Sequence, residues 1–366
     1  MPTRATNGLV PPHMNTLAWT DPARRASFEA WLRTIAPGHG LVTDSVRLAS
    51  ADASFRRYLR ISTQDGRTER IIMDSPPALE NSAAFIGVAE LLHRAGVRAP
   101  EVLASDVEHG FVLLSDLGQH TLLQSLPLDA ATLNGYFMQS LDLLVRWQDA
   151  TEPGRLPAYD HAVLMREMQL FEDWYIVKHK GFEMTDTQRE RLQQTLHTIA
   201  QHNTASPQVY VHRDFMARNL MVDAEGQIGV VDFQDALIGP VTYDIASLVR
   251  DAFHNWDEDQ IMDVTIRYWE RVRRKAWFEH EDWAQDFGAF FRAVEWMGLQ
   301  RHLKILGIFA RLTLRDGKPQ YLADTPRFIA YVRNTCARYR ELKGLLHLID
   351  EIEGLQAASG FAYGRV

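Results

Sequence analysis

Three polar side chains set the chemistry open to this chain. His212-Arg213-Asp214-Phe215-Met216-Ala217-Arg218-Asn219 has the form H-x-D-x-x-x-x-N, and Asp232-Phe233 follows thirteen residues after Asn219. Phosphoryl transfer from a magnesium nucleotide needs a carboxylate beside the acceptor hydroxyl, and an amide and a second carboxylate for the metal. Asp214 suits the first role, and Asn219 and Asp232 suit the second. Leu220-Met221-Val222 and Gln227-Ile228-Gly229-Val230-Val231 read as strands, and Asp223-Ala224-Glu225-Gly226 has the Asp-first, Gly-last form of a type I turn. A hairpin there brings Asn219 and Asp232 to one cation. The competing explanation is that His212 and Asp214 only satisfy backbone groups in a turn and Asp232 caps a helix.

The elements that must hold this loop are legible in outline. A chain of 366 residues exceeds what one hydrophobic core usually organises, so two lobes are expected. Residues 1–20 are expected to be a disordered extension, 21–117 a small lobe that binds nucleotide phosphates, and 118–366 a larger helical lobe. Asp21-Pro22 opens a helix carrying Phe28, Trp31, Leu32 and Ile35. Strands are predicted near residues 46–48, 58–61, 70–73, 102–103 and 111–114, with a helix at 81–94. Beyond Asp116-Leu117-Gly118, apolar residues recur at helical spacing over 136–147, 164–177 and 189–200, and only the catalytic hairpin interrupts. The net charge is −8, with 39 basic and 47 acidic residues and no offsetting basic stripe, which argues against a nucleic-acid surface. No apolar run has membrane-spanning length. A lone cysteine, Cys336, excludes an intrachain disulfide and fits the cytoplasm; its apolar, helix-like setting makes it a small buried filler.

A small β-rich lobe followed by a helical lobe with H-x-D-x-x-x-x-N resembles the protein-kinase-like fold, an α+β architecture with a five-stranded antiparallel sheet in the smaller lobe. More narrowly it resembles the aminoglycoside phosphotransferase and choline kinase group. Within that group, Asp52-Ala53-Ser54-Phe55-Arg56-Arg57-Tyr58, Met73-Asp74-Ser75-Pro76-Pro77, residues 211–221, Val231-Asp232-Phe233-Gln234-Asp235-Ala236 and residues 300–312 resemble the bacterial anomeric kinases of N-acetylmuramate and N-acetylglucosamine, used in cell-wall sugar recycling. The resemblance implies ATP and Mg2+ and an amino sugar as acceptor; separately from it, the enzyme is expected to be a monomer. It makes Asp214 the catalytic base or hydroxyl-orienting group, Asn219 and Asp232 the metal ligands, His212 a loop-holding residue, and Asp244 a helix-start acceptor of catalytic-loop N–H groups. Another small-molecule alcohol kinase, or a pseudokinase scaffold, is the alternative.

Departures from the family pattern direct attention to other residues. Ile71-Ile72-Met73-Asp74 has no Lys where protein kinases pair one with phosphates, so Arg57 and Arg60 become candidate phosphate cations, unless both are solvated strand residues. Glu90 is the matching helix carboxylate or a surface Glu. The glycine-free stretch at Ser54 and Phe55, with Asp116 and Leu117, completes the expected nucleotide site. For the acceptor, Glu172, Trp174 and Tyr175 offer a polar edge beside aromatic faces, against the alternative of a core stripe. Arg301, Lys304 and Arg311 share a helix face suited to a lactyl carboxylate or simply to solvent, and Arg213 and Arg218 are candidates to face substrate. Gln234 stands where D-F-G has Gly, which predicts a constitutively set metal loop.

Overall fold

In the computed structural model, residues 19–51, 55–278 and 282–355 are described. Two compact units emerge, one of residues 1–90 and 99–117, the other of residues 91–98 and 118–366. The first is built from α1 (Pro22–His39), β1 (Arg47–Ala51), β2 (Arg57–Ser62), β3 (Glu69–Asp74), β4 (Val102–Asp106) and β5 (Phe111–Ser115), with most of α2 (Ser82–Arg94). Its five strands form one antiparallel sheet in the order β1-β2-β3-β5-β4.

Helix α1 starts as its sequence predicts: the Asp21 carboxylate accepts the Ala23 N–H at 2.8 Å, and Pro22 occupies the first turn. Phe28, Trp31 and Leu32, at helical spacing, lie against Leu59, Ile61, Ile72 and Phe111 of the sheet, all buried. In β2 the inward Leu59 and Ile61 alternate with Arg60 and Ser62, the period-two pattern of a half-buried strand. Each such fully buried aliphatic side chain contributes about 1.5–3 kcal/mol. Of the extension expected over residues 1–20, the first eighteen lie outside the described residues. Trp19 does not belong to it, because its ring packs 5.1 Å from Phe28 and under the Arg57 guanidinium.

The second unit contains β6 (His120–Thr121), α3 (Leu122–Ser125), α4 (Ala130–Asp149), α5 (His161–Leu170), a π-helical turn at Phe171–His179, α6 (Asp186–Thr204), β7 (Gln208–Val211), β8 (Leu220–Val222), β9 (Ile228–Val230), β10 (Leu237–Pro240), α7 (Thr242–Val249), α8 (Glu258–Val272), α9 (Phe287–Leu314), α10 (Thr325–Arg338) and α11 (Lys343–Glu353). The sequence predicted one hairpin among helices. The structure adds β6 beside β8, and a separate β7–β10 pair whose Leu-Ile-Gly-Pro strand is too short for periodicity to reveal. The helix predicted over 164–177 changes to π winding after Leu170. Helix α9 is apolar around most of its circumference and is correspondingly buried. Gly307 on α9 allows close contact there: a Cβ at that position would fall 2.3 Å from the Leu170 carbonyl carbon. No helix among the described residues is long and apolar enough to cross a membrane.

Candidate active site

The predicted hairpin forms, and its register explains the site. Leu220 pairs with Val230 and Val222 with Ile228. Asp223 closes the turn by accepting the N–H groups of Glu225 (3.0 Å) and Gln227 (2.7 Å), while Gly226 takes a φ of 72°. One further ladder bond, Val231 N–H to the Asn219 carbonyl at 3.0 Å, puts Asn219 beside Asp232. The Asn219 amide nitrogen lies 2.9 Å from the Asp214 carbonyl oxygen and 3.4 Å from Asp232 Oδ2. The Asn219 and Asp232 side chains therefore meet, and Asn219 is tied to the backbone of Asp214 in the same loop.

Two buried carboxylates hold this loop from behind. Asp244, on α7, accepts the His212 N–H at 2.7 Å and the Arg213 N–H at 2.9 Å through different oxygens. Asp251 accepts the Ala217 N–H at 2.9 Å and the Phe253 N–H at 2.7 Å. Asp214 is thus bracketed by clamped backbone on both sides. Burial pushes the Asp244 carboxyl up to about 7, against the pull of the two N–H groups. Burial also pushes His212 down to about 4, so its imidazole is neutral and serves the loop as a packed ring, edge-on to Phe215 at 5.8 Å. Arg213 (φ 76°) and Asp232 (φ 66°) are left-handed, a conformation that costs a non-glycine residue about 1–3 kcal/mol and persists only where neighbours impose it.

Around Arg213 those neighbours form a network that the sequence did not reveal. Arg301 on α9 donates from Nη1 to the Arg213 carbonyl at 2.9 Å. The Arg213 guanidinium donates to Glu167 Oε1 at 2.6 Å, and Lys304 Nζ reaches the same oxygen at 2.9 Å. The Tyr159 hydroxyl and the Gln300 amide bind the other Glu167 oxygen. Although burial opposes ionisation, Lys304 and Arg213 hold the Glu167 carboxyl down at about 2.

The residues present fit a magnesium ion. Asn219 Oδ1 has no hydrogen-bond partner among the described residues, because the amide nitrogen is directed to the Asp214 carbonyl. Asp232 Oδ1 accepts from the Gln234 side chain at 2.8 Å, a tether that a Gly at that position would lack. One amide and one carboxylate oxygen are hard ligands. They are too few for a protein cage and suit Mg2+ bound together with nucleotide phosphates. No cluster of three or more His, Cys, Asp or Glu side chains that could hold a metal occurs among the described residues.

The expected nucleotide residues are placed less uniformly. Ser54 lies outside the described residues, and Phe55 is 65% exposed. Neither Arg57 nor Arg60 is a solvated strand residue. Arg57 Nε lies 2.9 Å from Asp74 Oδ2, a buried carboxylate that also binds Arg24 at 2.8 Å. Arg60 makes a two-point pair with Asp116 at 2.7 and 3.1 Å. Glu90 is exposed and joins no ion pair among the described residues, so Asp74 and Asp116, not Glu90, orient the arginines. Leu117 is buried.

Two acceptor candidates are corrected. Tyr175 is completely buried with its hydroxyl on Glu353 at 2.8 Å, so its ring presents no face to a ligand. Glu172 turns to α6, where Arg189 and Gln193 bind it at 3.0 and 2.6 Å. Trp174, half-buried, packs under Lys178. Arg218 lies over the Phe253 ring at 4.4 Å. Arg301 and Lys304 join the Arg213 network, whereas Arg311, two turns further along α9, does not. Glu167, Tyr159, Asp251 and Gln300 were missed. Only Asp251, one heptad after Asp244 in an apolar stretch, left a trace in the sequence.

Comparison with known proteins agrees with this geometry. The chain is 44% identical to an N-acetylmuramate/N-acetylglucosamine kinase of Pseudomonas aeruginosa, over 92% of this chain and 100% of that protein. It is 41% identical to the protein of the same name from Neisseria meningitidis serogroup B, over 93% and 99%. Among solved structures, a choline kinase from Streptococcus pneumoniae aligns with a TM-score of 0.58 at 12% identity, covering 86% of this chain and 100% of that one. An ADP-bound aminoglycoside phosphotransferase aligns at 0.57 with 13% identity, over 85% and 97%. These two likenesses concern the fold. Residues 45–283 match the phosphotransferase enzyme family, and with the loop, its hairpin and these relatives in agreement, the chain belongs to that family.

Proposed function

We propose that the protein is an ATP-dependent kinase that phosphorylates the anomeric C1 hydroxyl of N-acetylmuramate, N-acetylglucosamine or both, in the recycling of cell-wall sugars. The proposal is supported by the hydrogen bonds that tie Asn219 to Asp232 and to the Asp214 backbone, in a chain whose relatives of more than 40% identity bear that substrate name. Asp214 orients the acceptor hydroxyl and takes its proton late in the transfer. An anomeric hydroxyl is more acidic than an ordinary alcohol, so a carboxylate suffices and positioning outweighs basicity. Asn219 and Asp232 would hold Mg2+, which supplies charge neutralisation at the transferring phosphoryl group. Arg57 and Arg60, held by Asp74 and Asp116, are assigned to the nucleotide phosphates with Ser54 and Phe55. The reaction is assigned to the cytoplasm, where ATP is available.

The test is ADP release measured side by side with N-acetylmuramate, N-acetylglucosamine, choline and kanamycin. Turnover with the two sugars, giving an acid-labile anomeric phosphate, is expected. Turnover with choline or kanamycin alone, or an acid-stable ester, would refute the assignment.

A further inference from the structure

Arg213 is a conspicuous choice for its position. Its backbone is left-handed at φ 76°, where glycine is at ease and a long side chain is strained. Two hydrogen bonds at this residue use its backbone, the N–H on Asp244 and the carbonyl under Arg301, and a glycine would satisfy both. The guanidinium makes separate contacts, to the Asp235 carbonyl at 3.4 Å and to Glu167, and these indicate its use.

Glu167 is saturated. One oxygen takes Arg213 and Lys304, and the other takes Tyr159 and Gln300. A single carboxylate thus lies between two cations, and that group of three keeps a positive charge. The neighbouring Arg301 and Asp244 are both buried and oppose one another. Lys304 has three protons to donate and spends two, on Glu167 and on the Tyr243 hydroxyl at 3.2 Å. The Arg213 and Lys304 side chains are 20% and 15% exposed, whereas Arg301 is 3% exposed and occupied with the loop. Arg213 directly precedes Asp214 in the chain and Lys304 shares its Glu167 oxygen, so both partly accessible cations belong to the loop of the acceptor-activating group.

We infer that Arg213 and Lys304 form a carboxylate-binding subsite beside Asp214, through which the enzyme recognises an acceptor carrying a negative charge near its reacting hydroxyl. The inference rests on the amino-sugar assignment above, and the lactyl carboxylate of N-acetylmuramate has the required chemistry. Glu167 orients the two cations and takes no part in the contact.

The subsite is tested by comparing kcat/KM for N-acetylmuramate and its methyl ester in the native enzyme, Arg213→Gly and Lys304→Gln, with N-acetylglucosamine as a third acceptor. Glycine accepts the loop conformation, so Arg213→Gly removes the guanidinium without adding backbone strain. The native enzyme is expected to prefer the acid to the ester by about tenfold or more, as for a hydrogen bond to a charged group. Each variant is expected to bring that ratio to within about threefold of unity, mainly through KM for the acid. A native enzyme that treats acid and ester alike, or variants that lose both in parallel, would overturn the subsite. If no sugar is turned over by the native enzyme, the amino-sugar assignment itself fails and the subsite with it.

Discussion

Replacing Asp244 by Asn should separate stability from activity. In the native protein the buried carboxyl titrates at about 7, against an ordinary value of 3.8. Between those values the folded protein keeps a proton that the unfolded chain has released, so this group's contribution to stability declines as pH rises from about 4 to 7. From pH 5 to pH 8 the decline is worth about 3 kcal/mol, since each tenfold difference in proton affinity between the folded and unfolded chain corresponds to about 1.4 kcal/mol. Asn is neutral throughout and escapes it. The ionised form is nevertheless the one that matches the loop, because two separate oxygens accept the His212 and Arg213 N–H groups, whereas an amide offers one acceptor and opposes a donor to the other. Urea unfolding of both proteins at pH 5 and pH 8 should therefore show the variant gaining about 3 kcal/mol relative to native over that interval. Its kcat at pH 8 should fall roughly tenfold to a hundredfold as the loop loses register. Parallel stability curves for the two proteins across this range, or native kcat in the variant, would refute the account of Asp244 as a buried carboxyl that keeps its proton up to about pH 7 and whose ionised form matches the loop.

Three further outcomes are expected. Asp214→Asn should lower turnover by at least about a hundredfold with the fold intact, read from coupled ADP release and circular dichroism; turnover near native would remove Asp214 from the mechanism. Asp232→Asn keeps a residue type that tolerates the left-handed backbone while deleting the charge, and should raise the Mg2+ concentration for half-maximal rate by about tenfold or more; an unchanged Mg2+ titration counts against Asp232 as a ligand. Gly307→Ala forces a methyl group against the Leu170 carbonyl and should destabilise the second unit by about 1–3 kcal/mol in urea unfolding, whereas native stability would mean that α9 and the end of α5 can separate without cost.

The catalytic loop was legible because its chemistry is local. His212, Asp214 and Asn219 lie within eight residues, and the turn chemistry of Asp223 and Gly226 fixes how Asp232 returns to them, so short-range rules suffice. The sheet of the first unit and the start of α1 were legible for the same reason: alternation in β2 and the Asp-Pro opening are written in adjacent residues. The acceptor side was not. Tyr175 and Trp174 look alike in an aromatic run, and only packing consigns one to the core. Glu167 lies 46 residues before Arg213, and Lys304 lies 137 residues after Glu167, so nothing in their spacing announces that both cations share one carboxylate oxygen. Residue type and short spacing thus determined the reaction class and singled out three candidate side chains on one loop. The ion pairing, burial and loop clamping that tune those side chains were decided by the tertiary structure, because Coulomb energy and desolvation depend on distances in space that chain separation does not encode.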